Sequence, residues 1–184
     1  MNKIHIINNL ISEQDMNEIM VDIDSYEFTK TESNDQLLSC APDPKSKLYI
    51  ALDKVKKNIE KEIEHIYKHK IQRDIGISVL KYGEGSFIGM HRDWAPNDPY
   101  VKKFNKPRVD VGVVFYINDD YLGGDIMMFD VNEIESEIHY KDPYMTLKPN
   151  YGTCLIFDSC IYHMTKPIEK GEKYCMTIFY QLDI

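Results

Sequence analysis

A mainly β fold with flanking helices, arranged as a sandwich or jelly roll, is predicted by two features of the sequence. From Ile75 onward, short β-branched and aromatic runs (ISVLKY, RVDVGVVFYIN, GTCLIFD, YCMTIFYQ) alternate with clusters of Gly, Pro, Asn and Asp. Many short strands at such close spacing suit antiparallel layers. Before Ile75 the chain instead places apolar residues at helical spacing, so helices should pack outside the strands on one face.

The elements follow in order. Lys3 to Asn8 (KIHIIN) is a short apolar run that reads as a strand. Ser12 then opens S-E-Q-D-M-N-E-I-M, with acids early and Met16, Ile19, Met20 and Ile23 on one stripe. That is the pattern of a capped helix. Thr31 to Lys47 is polar and carries Pro42 and Pro44, which marks a loop. Tyr49 to Tyr67 sets Ile50, Leu52, Val55, Ile59, Ile63 and Ile66 roughly three to four apart among lysines and glutamates, a second amphipathic helix. One domain is expected over 1–184, with 1–74 giving the N-terminal strand and supporting helices and 75–184 the strand-rich core.

Charge and composition exclude several classes. With 22 basic against 30 acidic residues and a net charge of -8, the chain is poorly suited to gripping phosphate backbones, so nucleic acid is not expected as a partner. The N-terminus lacks the apolar core of a secretory leader and no run is long enough for a membrane span. A soluble, cytoplasmic protein is the expectation. Cys40, Cys154, Cys160 and Cys175 form no C-x-x-C pair, which suits free thiols in a reducing compartment. Cys154 and Cys175 sit in apolar runs and read as core.

In SFIGMHRDW, His91 and Asp93 are two apart, and on an extended strand positions i and i+2 share a face, so both can reach one metal. A distant second His completes a facial triad, which binds iron and leaves positions open for chemistry. His163, in FDSCIYHMTKP, is the best such residue because it too lies on a predicted strand. HRD also opens the protein-kinase catalytic loop, but the required Asn, the Gly-rich loop, V-A-I-K and D-F-G are all missing. His65 and His69 stand at i, i+4 on the second predicted helix, a spacing that can bind zinc, yet the acids and lysines around them point to a solvated face. His5 and His139 have no evident partners.

Lys173 follows His163 by ten residues across KPIEKG, so the two strands could fold back side by side. A lysine directed into an apolar barrel needs a carboxylate partner; taken alone, Lys173 reads rather as a surface residue of GEKY.

From about Ile77 to Gln181 the chain resembles the prolyl 4-hydroxylase branch of the 2-oxoglutarate oxygenases. Five pieces in order carry the resemblance: ISVLKYGEGSFIGMHRDW, VVFYIN, YLGGDIMMF, KPNYGTCLIFDSCIYH and PIEKGEKYCMTIFY. The resemblance implies a double-stranded β-helix, or jelly roll, with Fe(II), 2-oxoglutarate and dioxygen as requirements and ascorbate as a reductant for the iron. It matches His91, Asp93 and His163 to the iron ligands and Lys173 to the basic residue that pairs with the C5 carboxylate of 2-oxoglutarate. Tyr82 matches a tyrosine lining that pocket, and Tyr116 one that hydrogen-bonds the same carboxylate; core packing explains both phenols equally well.

Asp93 fills the position that halogenating relatives leave open, so hydroxylation is the implied outcome. Asp125-Ile126-Met127-Met128 departs from the collagen-type Glu-Thr pair and lies closer to the oxygen-sensing type. The segment Trp94 to Arg108 is this chain's own, placed where a lid or substrate-gripping loop would be. The implied substrate is a prolyl residue in a peptide or protein, followed by a free amino acid or other small molecule. The rival class is a non-catalytic jelly-roll module holding another divalent metal, which would have no use for a buried lysine opposite the metal.

Overall fold

Ser46 starts the longer helix by accepting a hydrogen bond from the Tyr49 N–H at 3.0 Å, and Lys68 ends it in the left-handed conformation, φ 61°, donating to the Glu64 carbonyl. This helix, α2 (Lys47–Tyr67), buries Leu48, Ala51, Leu52, Val55, Ile59 and Ile63 along one face, the spacing of a helix covering a sheet. Ile50, read from the sequence as part of that face, is 54% exposed, and Leu48 takes its place. The shorter α1 (Glu13–Ile23) follows Ser12, whose Oγ accepts from the Asp15 N–H, and buries Met16, Ile19 and Ile23. The structure is a computed structural model that describes residues 3–184 apart from 24, 32–33, 97, 105 and 130–142.

The described strands are β1 (Ile4–Ile7), β2 (Thr29–Thr31), β3 (Asn34–Cys40), β4 (Ile71–Asp74), β5 (Ser78–Tyr82), β6 (Ile88–His91), β7 (Val111–Tyr116), β8 (Leu122–Gly123), β9 (Ile126–Phe129), β10 (Met145–Leu147), β11 (Cys154–Asp158), β12 (Tyr162–Thr165), β13 (Ile168–Lys170) and β14 (Lys173–Leu182). The larger sheet runs β1-β11-β7-β14-β5-β3-β2, with β4 also paired to β14; the smaller runs β10-β9-β12-β6, and β8 pairs with β13. The two sheets facing each other make a jelly roll, as the sequence predicts.

Strand alternation divides the core in two. Along β14, Tyr174, Met176, Ile178, Tyr180 and Leu182 join α1 and α2 in one apolar cluster, whereas Lys173, Cys175, Thr177 and Phe179 face a cavity between the sheets. β11 does the same, sending Cys154 and Ile156 to the helices and Leu155 and Phe157 inward. The helices therefore occupy the outer face of the larger sheet and leave the inner face for a site. All four cysteines are free, with Cys154 and Cys175 buried. No helix among the described residues is long and apolar enough to cross a membrane.

Two stretches differ from the sequence reading. The expected loop Thr31 to Lys47 holds β3, which pairs with β2 on one side and with β5 on the other, Leu37 opposite Tyr82. Backbone pairing at a sheet edge makes a strand of a polar segment whose side chains give no period; Pro42 and Pro44 fall after it, before α2. The segment Trp94 to Arg108 contains a short helix, α3 (Pro99–Phe104), while Asn97, Asn105 and, elsewhere, His139 lie outside the described residues.

Candidate active site

His91 closes β6 and His163 sits on β12, and the two are directly opposite in the antiparallel register. Their rings lie 4.2 Å apart between centroids. In each ring Nδ1 is within hydrogen-bond distance of a carbonyl, Gly89 at 2.9 Å for His91 and Ile161 at 3.0 Å for His163. A carbonyl only accepts, so Nδ1 carries the proton and Nε2 keeps its lone pair for a metal.

Asp93 reaches the same point by a different route from the one expected. β6 ends at His91, so strand alternation does not place Asp93. Its N–H and that of Trp94 both donate to the Ser159 carbonyl, at 3.0 and 3.1 Å, and Ser159 is fixed in turn by bonds to the carbonyls of Asp110 and Val109. This turn brings Asp93 Oδ1 to 3.7 Å from His91 Nε2 and 3.8 Å from His163 Nε2. Among the described residues these three form the only group of three or more His, Cys, Asp or Glu side chains whose ligand atoms converge, all within 4.8 Å. His65 is exposed on α2, and His69 is exposed just beyond that helix, 3.4 Å from Asp183, so both lie on a solvated face as the charges around them suggested.

The donor set fits a divalent cation. Asp93 Oδ2 is buried with no hydrogen-bond partner, and burial raises the carboxyl to about 6. Burial likewise lowers His163 to about 4, and lowers His91 with the neighbouring His163 adding to the effect. A buried anion beside two neutral imidazoles lacks a positive charge at its centre, and a metal supplies it. Phe157 closes one side, its ring edge-on to His163 at 4.8 Å. Gly112 makes the room: a Cβ there would stand 2.5 Å from Asp93 Oδ2 and 2.9 Å from Phe157.

Lys173 opens β14 opposite Tyr82 of β5 and is 1% exposed. Its Nζ donates to the Gly124 carbonyl at 2.9 Å and lies 5.0 Å from the ring centroids of Tyr82 and Tyr116 and 5.9 Å from that of Tyr121. Burial lowers it to about 8. The Tyr116 and Tyr121 hydroxyls are buried without partners, while Tyr82 is packed with its hydroxyl against Thr165 and Cys175. The Lys173 ammonium and the unanswered Tyr116 phenol line one cavity and together form a receptor for an anion. The strands of His163 and Lys173 do not lie side by side as their spacing suggested: β12 belongs to the smaller sheet and β14 to the larger, with β13 between them in sequence. The two residues face one another across the barrel, and a cavity of about 280 Å³ joins them, also lined by Ile126 and Thr165. A wider groove of about 900 Å³ reaches His91 and Asp93 from outside, past Trp94, Tyr162 and Phe179.

A lysine held charged in such a place burdens the ligand-free fold. Its proton is bound less tightly folded, at about 8, than unfolded, at 10.5, so the penalty is full below pH 8 and is relieved as pH rises toward 10.5. Lys173→Met should stabilise the ligand-free protein at pH 7 by on the order of 1–3 kcal/mol, after allowing for the Gly124 carbonyl left without its donor. The gain should shrink above pH 8. Urea unfolding of both proteins across that range measures it, and a destabilised variant at pH 7 would refute it.

Sequence reasoning missed Tyr121, Thr165, Ser159 and Gly112. Only Gly112 carried a usable signal, because a lone glycine within an apolar strand marks a close approach by another group.

A sequence profile of the 2OG-Fe(II) oxygenase superfamily matches residues 77–181. No curated protein matches the chain significantly in sequence. Among solved structures it is similar to a prolyl hydroxylase from Trichoplax adhaerens in complex with a hypoxia inducible factor peptide fragment, at 18% identity and TM-score 0.72, covering 98% of this chain and 84% of that one. It is also similar to a Pseudomonas putida prolyl-4-hydroxylase, at 15% identity and TM-score 0.68 over 98% and 93% of the two chains. A viral collagen prolyl hydroxylase from Paramecium Bursaria Chlorella virus-1, in its 2OG complex, shares 17% identity at TM-score 0.65 over 98% and 96%.

Proposed function

Since this chain belongs to the 2OG-Fe(II) oxygenase superfamily, and so is a 2-oxoglutarate-dependent dioxygenase, we infer that it hydroxylates a prolyl residue in a peptide or protein, with release of succinate and CO2. In this reading His91, Asp93 and His163 hold Fe(II), Lys173 and Tyr116 receive the far carboxylate of 2-oxoglutarate, and Tyr82 lines the same chamber. The observation that carries the reading is the single cavity with the three converging ligands at one end and the buried Lys173 at the other. A metal-binding module without oxidative chemistry has no need of that lysine.

Bound iron, with 2-oxoglutarate and dioxygen, supplies the oxidising chemistry. The chain's own residues bind, orient and shield. The Gly89 and Ile161 carbonyls keep both imidazoles turned with Nε2 inward, and Phe157, Leu155 and Ile126 make an apolar wall that excludes water. Lys173 offers a positive charge already desolvated, so an arriving carboxylate gains a strong partner at little further desolvation of the lysine. The outer groove admits the substrate to the open side of the ligands. Support for a peptide comes from the similar folds of three prolyl hydroxylases, one of them solved with a peptide.

Purified protein given Fe(II) and oxygen should convert 2-oxoglutarate to succinate, and a prolyl peptide should accelerate the conversion and gain one oxygen atom. Iron-loaded protein that forms no succinate with any peptide would overturn the proposal.

A further inference from the structure

The outer groove that reaches His91 and Asp93 has apolar walls, with Ile75, Ile88, Val101, Pro107, Val109 and Phe179 all in its lining. Its charges are spoken for. Arg92 pairs with Asp98, Nε to Oδ2 3.0 Å, its guanidinium lying over the Tyr162 ring at 4.9 Å, and Lys106 is engaged as well. Beyond the metal ligands, the described lining therefore offers apolar contact rather than a free charge. Ile75 is the residue of this lining that the fold does not cover. It stands between β4 and β5, its N–H donating to the Phe179 carbonyl at 3.0 Å and the N–H of Gly76 donating to Asp74 Oδ1 at 2.9 Å. These bonds pin the backbone on both sides of a residue that is 42% exposed. A lone isoleucine on an open surface is ordinary, but one fixed in a groove that ends at the metal ligands presents apolar area to whatever enters. Val101 and Val109 are just as firmly set: the Val101 carbonyl accepts from the Lys106 N–H at 3.1 Å and the Val109 carbonyl from the Ser159 hydroxyl at 2.6 Å. Ser159 is also the anchor of Asp93, so this wall keeps a fixed relation to the metal ligand.

We propose that the outer groove takes an apolar side chain of the peptide beside the prolyl residue, and that Ile75, with Val101 and Val109, sets this preference. The inference rests on the prolyl-peptide reading above and names the flanking chemistry which that reading leaves open. An incoming leucine covers the exposed part of Ile75 and is itself covered, so apolar area leaves water on both partners. An aspartate or lysine in the same place gives up its water and, among the described residues, meets no unpaired charge in return. A free amino acid is disfavoured on the same ground, because its ammonium and its carboxylate would both be desolvated there.

The test uses protein loaded with Mn(II) and 2-oxoglutarate without oxygen, and labelled pools of randomised, end-capped peptides whose central proline is flanked on both sides by Leu, Ser, Asp or Lys. Fluorescence anisotropy should show the Leu pool binding about fivefold to tenfold more tightly than the Ser pool. The Asp and Lys pools should bind weakest, and the gap between Leu and Ser should not narrow as salt is raised. Ile75→Ser should cut that gap to about twofold or less, with a thermal midpoint near that of the wild type because the side chain is exposed. Ile75→Val should give an intermediate gap, so the dependence on this side chain is read even if Ile75→Ser fails to fold. Free L-proline, added at the concentration at which unlabelled Leu peptides displace the labelled pool, should displace nothing. Equal binding of the Leu and Ser pools, an Asp or Lys pool that binds best, a gap unchanged in the Ile75 variants, displacement by free proline, or no binding by any pool would overturn the inference. Succinate formation by the iron-loaded wild type is measured in parallel with each pool. If none forms, the proposed function itself fails; if it forms equally with all pools, only the preference set by Ile75 falls.

Discussion

His91→Ala, Asp93→Ala and His163→Ala are each expected to lower succinate formation by on the order of 10³-fold or more, since a three-ligand site loses a third of its grip on the metal with each. The fold should survive. Asp93 Oδ2 has no partner and burial holds the carboxyl at about 6, so its removal spares the ligand-free protein a desolvated acid rather than breaking a bond. Each imidazole makes one hydrogen bond, to the carbonyl two residues before it, Gly89 for His91 and Ile161 for His163, so little backbone structure depends on either ring. Thermal unfolding should therefore begin from a similar midpoint in all four proteins. Adding metal and 2-oxoglutarate should raise that midpoint in the wild type and leave it unmoved in the variants, because only a ligand bound to the native state stabilises it. Substantial succinate formation by all three variants would end the assignment of the triad.

Lys173→Met is expected to leave metal binding nearly intact while weakening 2-oxoglutarate by on the order of 2–4 kcal/mol, as the carboxylate loses the one buried cation that faces it. The same substitution should stabilise the ligand-free protein, and the opposite signs are the mark of a residue kept for binding rather than for the fold. Lys173→Arg should lose less, although the planar fork must fit among Tyr82, Tyr116 and Tyr121. pH adds a second check. Free Lys173 gives up its proton at about 8 and only the protonated form attracts the carboxylate, so wild-type affinity should fall as pH rises past 8 while that of Lys173→Met stays flat over the same range. Anaerobic titration of 2-oxoglutarate into Mn(II)-loaded protein measures both. Equal affinity in wild type and variant would return the chain to the metal-binding jelly-roll class.

What the sequence determined by itself was whatever repeats within a few residues. Apolar spacing marked α1 and α2, β-branched runs marked the strands of the core, and the two-residue step from His91 to Asp93 marked a metal site. Ordered motifs then singled out His163 and Lys173. The tertiary structure alone decided how these meet. Strand alternation cannot say which strands are neighbours, so the sequence put His163 and Lys173 side by side, whereas the sheets set them on opposite walls of one cavity. Asp93 lies past the end of β6 and owes its position to Ser159, 66 residues away in sequence. The β2–β3 hairpin exists because its backbone groups find a sheet edge, a pairing that polar side chains do not announce. Thr165 enters the site for the same reason: local chemistry is written along the chain, but proximity between distant segments is settled only when the sheets close on each other and backbone pairing fixes their register.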